Sequence, residues 1–241
     1  MLIRRLKDEG VTQPFYIIGH RGAPALAPEN TLPSFARAIV ERVDGIELDV
    51  HKIDRHLVVI HDRSVDRTSN GTGALHELSF EALRQLDFGN GATIPTLVEV
   101  IETTPSSILI NVELKGQHTG QAVAQLLSHY PTHRFMVSSF DRREIVHFTK
   151  EFGTQSNTEV ALLGVRLTAK LMDEARQLDV KTLNVSTKFL KAKQLSLALQ
   201  NGFRINVYTV NDVTRARQLR DVGVAGVFTD DPAELKVLQD E

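Results

Sequence analysis

The sequence predicts an α/β fold, a (β/α)8 TIM barrel with a small inserted subdomain after strand 2. Short β-branched runs alternate with longer amphipathic stretches from end to end. That alternation gives eight strand candidates with seven interleaved helix candidates and no break at the midpoint, which favours a closed barrel over two Rossmann halves. The length of 241 residues suits an α/β barrel built as one unit, so a single domain is expected over 1–241.

In order, the strands are expected at 15–19 (FYIIG), 45–50 (GIELDV), 108–114 (ILINVEL), 134–139 (RFMVSS), 160–165 (VALLGV), 182–186 (TLNVS), 204–210 (RINVYTV) and 226–229 (GVFT). The first helix is expected over 31–42, with Asn30 as its cap and Pro33 in its first turn. Others follow at 119–129, 141–150, 168–178 and 188–200, then at 211–221 capped by Asn211 or Asp212, and at 232–239 with Asp231 capping and Pro232 first. The interval 51–95 breaks the rhythm, being too long for a strand-to-helix connection. It carries a short strand at 57–60 (LVVI), the turn-prone SNGTG at 69–73 and a helical stretch at 79–86, and is read as the insertion.

Composition bounds the function. With 41% hydrophobic and 24% charged residues the chain can bury a sizeable core. A net charge of −2 argues against general nucleic-acid binding. The absence of cysteine excludes disulfides, thiolate metal sites and a cysteine nucleophile. The N-terminal MLIRRLKDEG puts charge where a signal peptide needs apolar residues, and no run approaches the roughly 18 apolar residues of a membrane span. A cytoplasmic location without stable membrane anchoring is therefore expected, and a homo-oligomer is compatible with the sequence. The glycine-rich NGTGALH lacks the third glycine of a dinucleotide fingerprint, and no P-loop, G-x-S-x-G or H-E-x-x-H occurs.

The chemistry collects at strand ends. Residues two apart on a strand share a face, so Glu47 and Asp49 point into the barrel while Ile46, Leu48 and Val50 meet the helices. In NVELK, Asn111, Glu113 and Lys115 share a face in the same way. Three carboxylates then converge at the C-terminal mouth, where barrel enzymes place their sites. Buried like charges persist as anions only if compensated, and hard oxygen ligands in this number suit Mg²⁺ or Ca²⁺. The alternative is a structural network in which each carboxylate pairs with an arginine or lysine.

His20 and His61 end the apolar runs IIGH and VVIH in matching fashion, and imidazoles can exchange protons near neutral pH. Arg21 offers a planar donor fork for phosphate oxygens, and Lys115 offers a second positive charge. Anionic substrate, divalent cation and histidine acid/base together describe phosphoester cleavage. Asn184, Asn206 and Tyr208, inward-facing on later strands, are candidates to bind hydroxyls or to satisfy one another. The remaining histidines are read as ordinary surface or core residues.

The ordered segments HRG (20–22), APENT (27–31), DGIELDV (44–50), VVIHD (58–62), RTSNGTG (67–73), IPTLVEV (94–100), NVELK (111–115), VSSFD (137–141), VYTVND (207–212) and GVFTDDP (226–232) together resemble the glycerophosphodiester phosphodiesterases over nearly the whole chain. The resemblance implies a (β/α)8 barrel that hydrolyses glycerophosphodiesters to glycerol 3-phosphate and an alcohol. It implies one divalent cation held at Glu47, Asp49 and Glu113, His20 and His61 as the acid/base pair, Arg21 on phosphate, and Lys115 close to the substrate. Two departures stand out. IDRH (53–56) replaces the family's usual T-K-D-G turn, and Tyr208 takes a position often held by tryptophan at the pocket wall. Two rival readings are a related phosphodiesterase or lyase acting on lysophospholipids, and a non-catalytic phosphate-binding barrel.

Overall fold

The computed structural model describes residues 14–153 and 157–241; the N-terminal MLIRRLKDEG lies outside the described residues. In chain order the strands are β1 (Tyr16–His20), β2 (Gly45–Ile53), β3 (His56–Val59), β4 (Leu109–Leu114), β5 (Arg134–Ser139), β6 (Thr158–Gly164), β7 (Thr182–Ser186), β8 (Arg204–Tyr208) and β9 (Gly226–Thr229). All except β3 run parallel. Pairing proceeds β1-β9-β8-β7-β6-β5-β4-β2, and β1 pairs back onto β2, so the eight parallel strands close into a TIM barrel.

The alternation along β2 shows why this sequence closes. Ile46, Leu48 and Val50 are fully buried in the large core between barrel and helices, where they join Phe35, Ala38, Leu127 and Phe148. The opposite phase faces inward. The barrel interior is apolar around Ile18, Met136, Ala161 and Phe228, and turns polar towards the C-terminal ends of β1, β2 and β4.

The helices are α1 (Leu32–Val40), α2 (Phe80–Arg84), α3 (Leu97–Thr103), α4 (Thr119–Leu127), α5 (Arg142–Phe152), α6 (Ala169–Gln177), α7 (Ala192–Gln200), α8 (Val213–Asp221) and α9 (Pro232–Leu235). Three expectations need correction. First, α3 was not foreseen, although Thr96 and Glu99 form a capping box: the Thr96 hydroxyl accepts from Glu99 N (3.2 Å) and the Glu99 carboxylate accepts from Thr96 N (2.7 Å). Second, Thr31 rather than Asn30 caps α1, its Oγ1 accepting from Ser34 N, an arrangement worth about 1 kcal/mol. Third, two expected helices are divided by 3-10 turns: 188–200 becomes a 3-10 turn at Thr187–Phe189 followed by α7, and 232–239 becomes α9 followed by a 3-10 turn at Lys236–Gln239.

Between β2 and α3 the chain leaves the barrel. A two-residue turn at Asp54 and Arg55 folds β3 antiparallel onto β2. Val58, Ile60, Val65, Leu75, Leu83, Phe88 and Ile94 then gather into a small apolar cluster of their own. Ile60 N donates to Asp49 O (2.9 Å), which delivers the next residue, His61, to the barrel mouth. Among the described residues no helix is long and apolar enough to cross a membrane.

Candidate active site

Strand register assembles the site. His20 on β1 lies beside Glu47 on β2, Glu47 beside Asn111 on β4, and Asp49 beside Glu113. Beyond β1 the chain takes a left-handed turn through Arg21 (φ 56°) and Gly22 (φ 89°). Glycine is required at 22, because a Cβ there would sit 2.4 Å from Ser34 Oγ. The turn brings Arg21 N to Glu47 Oε2 (2.9 Å) and swings the guanidinium back over Asp49, with Nε 3.4 Å from Oδ2.

Glu47, Asp49 and Glu113 each place a carboxylate oxygen within 4.8 Å of the other two, and all three are buried. Two cations attend them. Lys115 Nζ lies 2.6 Å from Glu113 Oε1 and 3.2 Å from Asp49 Oδ1, while Arg21 faces Asp49. Asn30 Nδ2 also donates to Asp49 Oδ2 (2.9 Å). The consequence is uneven. Burial pushes all three carboxyls up, but Lys115 and Arg21 outweigh it at Asp49, whose pKa falls below the ordinary carboxylate value. Burial and the Asp49 charge push Glu47 up to about 8 and Glu113 up to about 7.

Three buried carboxylates with too little positive charge are the donor set of a hard divalent cation. Asn111 Oδ1, buried without a hydrogen-bond partner and lining the same cavity, is a further oxygen donor without a proton to accept. The residues fit such an ion.

Both histidines are held by a carboxylate at Nδ1. His20 Nδ1 lies 2.7 Å from Asp230 Oδ1, and Asp230 is fixed in turn by Asn211 Nδ2 (3.0 Å). His61 Nδ1 lies 2.6 Å from Asp62 Oδ1. An ionised carboxylate only accepts, so Nδ1 carries the hydrogen and Nε2 is the nitrogen without a hydrogen-bond partner in each ring, that of His20 lying 3.9 Å from Glu47 Oε2. Burial lowers the pKa of both rings. At His20 the hydrogen bond that Nδ1 donates to Asp230 and the Glu47 charge outweigh it and raise the pKa above 6.5. At His61 burial prevails over Asp49 and Asp62, and the pKa falls below 6.5.

These groups line a cavity of about 300 Å³ at the C-terminal mouth. His20, Arg21, Glu47, His61, Glu113 and Lys115 form a polar wall, and Phe140, Leu163, Val165, Tyr208 and Phe228 form an apolar one. A cleft of similar size between α1 and α3 holds no ionisable side chain.

A family model described as the glycerophosphoryl diester phosphodiesterase family matches residues 20–234. The chain belongs to that family. As a glycerophosphodiester phosphodiesterase it is similar to the Bacillus subtilis (strain 168) protein YhdW, with 34% identity covering 90% of this chain and 95% of the relative. It is also similar to the glycerophosphodiester phosphodiesterase of Caldanaerobacter subterraneus subsp. tengcongensis, with 31% identity covering 91% and 95%. Among solved structures, an Oleispira antarctica phosphodiesterase in complex with the product sn-glycerol-3-phosphate superposes with a TM-score of 0.87 at 28% identity, covering 95% of this chain and 98% of that one.

The eight residues singled out in this phosphodiesterase from sequence all lie at one mouth. Seven line the cavity, and Asp49 sits against Lys115, Arg21 and Asn30. The Tyr208 hydroxyl donates to Gly164 O (3.1 Å), so the tyrosine presents its ring to the cavity and packs edge-on against Phe140. Asn184 and Asn206 instead satisfy each other in the interior (2.9 Å). Sequence reading placed none of Glu29, Asn30, Asp62, Arg67, Asn211 and Asp230 in the site, giving Asn30 and Asn211 only helix-capping roles. Asp62 directly follows His61 and was the one local signal among them.

Proposed function

We propose that the protein hydrolyses glycerophosphodiesters such as glycerophosphocholine and glycerophosphoethanolamine to sn-glycerol 3-phosphate and an alcohol, with one Mg²⁺ or Ca²⁺ and a histidine acid/base pair. The observation that carries this is the flanking of a buried carboxylate triad by two imidazoles, each fixed at Nδ1 and free at Nε2, on the wall of one cavity. The product bound to the Oleispira antarctica relative supports the substrate class.

Glu47, Asp49 and Glu113 would hold the cation. When bound there it polarises a phosphoryl oxygen and lowers the pKa of an adjacent hydroxyl. Arg21 and Lys115 bind the phosphate, each restrained by carboxylates so that few rotamers are lost on binding. One imidazole accepts the nucleophile's proton at Nε2 as the P–O bond forms. The other donates from Nε2 to the departing alkoxide as the old bond breaks. The glycerol 2-hydroxyl as nucleophile gives a cyclic phosphate that water then opens, so the pair of proton transfers runs twice, with the two imidazoles exchanging roles in the second step; water as nucleophile gives product directly with one pair of transfers. The apolar wall of Phe140, Val165 and Tyr208 limits water on the side opposite the charges.

The test is release of glycerol 3-phosphate from the two diesters, coupled to a dehydrogenase, with chelator, Mg²⁺ and Ca²⁺ in separate reactions. Cation-dependent product from both is expected. Folded protein that yields no product with any cation overturns the substrate assignment, and product undiminished by chelator overturns the metal role.

A further inference from the structure

Glu29 and Arg67 take part in no step above, yet they complete an unbroken chain of charge contacts between His61 and Arg21. Arg67 comes from the segment following β3, and Glu29 from the loop that leads into α1. Arg67 Nε donates to Asp62 Oδ2 (2.6 Å), while its two terminal nitrogens grip Glu29 in a fork, at 2.7 Å to Oε2 and 2.8 Å to Oε1. Each carboxylate then holds one group of the candidate site. Asp62 Oδ1 accepts from His61 Nδ1 (2.6 Å), and Glu29 Oε1 accepts from Arg21 Nη1 (2.9 Å).

We infer that Arg67 is a positioning residue for both groups: it fixes Asp62 so that His61 presents Nε2 to the cavity, and fixes Glu29 so that the Arg21 guanidinium stays aimed at phosphate. This rests on the phosphodiesterase reading given above. The physical argument is geometric. A lone carboxylate on a half-exposed loop rotates freely and holds an imidazole in no single orientation. A planar guanidinium bonded on three sides removes that freedom from Asp62 and Glu29 together. Lysine carries the same charge as a single point and cannot grip both carboxylates with this fork. The contact also ties the segment after β3 to the barrel loop at 21–31, so one side chain links the supports of His61 and Arg21.

The variants are Arg67→Ala, Arg67→Lys, Asp62→Ala and Asp62→Ala/Arg67→Ala, compared with wild type for kcat, KM and thermal midpoint. Arg67→Ala is expected to lower kcat about 10- to 100-fold, the size seen when a positioning partner is lost, and to raise KM through Arg21. Arg67→Lys is expected to recover little of either. In the double variant, loss of Arg67 is expected to cost no further kcat beyond that of Asp62→Ala, because it acts on His61 through Asp62. A second measurement needs no turnover. In the cation-free protein above neutral pH, ¹⁵N NMR is expected to show the His61 ring as one Nδ1–H tautomer in wild type and as a mixture in Arg67→Ala. Wild-type kcat and KM in Arg67→Ala, whatever its thermal midpoint, overturn the proposal. So does full recovery in Arg67→Lys, and so does an unchanged tautomer. If wild type itself releases no glycerol 3-phosphate while the tautomer still shifts, the functional reading fails and the positioning of His61 stands.

Discussion

The cation binding proposed for the carboxylate triad is a proton-releasing event. In the cation-free protein Glu47 is held at about 8 and Glu113 at about 7 by burial and by the Asp49 charge. At pH 7 these values leave Glu47 mostly protonated and Glu113 near its midpoint, so a cation that requires both as anions expels roughly one to two protons. At pH 9 the same values leave about 0.1 proton to expel. The apparent affinity should therefore rise about 20-fold between pH 7 and pH 9, as competition from protons disappears. The assay is isothermal titration calorimetry of chelator-stripped protein with Mg²⁺ or Ca²⁺ in two buffers of different ionisation enthalpy. The difference in observed heat divided by the difference in buffer enthalpy gives the proton count. A heat independent of buffer at pH 7, together with an affinity flat to pH 9, would refute the claim that the triad is under-compensated and would leave Lys115 and Arg21 as its full complement.

The same shifts set how the cation-free fold responds to pH. Glu47 and Glu113 have folded pKa values above the ordinary 4.5, so the folded state binds more protons than the unfolded one and stability falls as pH rises from about 4.5 through about 8. His20, raised above 6.5, acts in the same direction, while His61, lowered, acts in the opposite one. The thermal midpoint in chelator should thus decline between pH 5 and pH 8, and a saturating cation should flatten the decline; a midpoint that rises over that window contradicts the assignment. His20→Ala and His61→Ala should each lower kcat by about 10²- to 10⁴-fold with a thermal midpoint near wild type, and near-normal turnover in either variant removes that ring from the proton transfers.

The barrel was legible because burial on a closed parallel sheet imposes period two. Ile46, Leu48 and Val50 must be apolar to meet the helices, which leaves the intervening positions to declare themselves as Glu47 and Asp49. The missed helix α3 shows where that signal fades. LVEVI reads equally well as a buried strand, and only the Thr96–Glu99 capping box separates the two readings. At the entrance to α1, Asn30 and Thr31 are both good capping types. Asn30 adopts φ 57°, whereas a cap needs extended backbone, and its amide is drawn to Asp49 instead. The partners of the histidines divide in the same way. Asp62 is adjacent to His61 in the chain, but Asp230 lies 210 residues from His20 and reaches it only because β9 pairs with β1 to close the barrel. No local pattern carries that contact.

Asp49 is where the two halves of the proposed chemistry meet. It receives Lys115, Arg21 and Asn30, and it is the one member of the triad whose pKa is lowered. It therefore remains an anion in the cation-free protein at neutral pH, while Glu47 on β2 is mostly protonated and Glu113 on β4 is near its midpoint. That standing charge aims the lysine and the arginine before any substrate arrives. It also offers an incoming cation an ionised first ligand, around which Glu47 and Glu113 can then lose their protons. A neutral residue at 49 would remove a proposed ligand and, in the same change, one anchor from each of the two proposed phosphate-binding cations, leaving Lys115 on Glu113 and Arg21 on Glu29, so a substitution there perturbs both proposed functions together. At Glu113 the two can be separated, because Arg21 is anchored through Glu29 and Asp49 and Lys115 keeps Asp49.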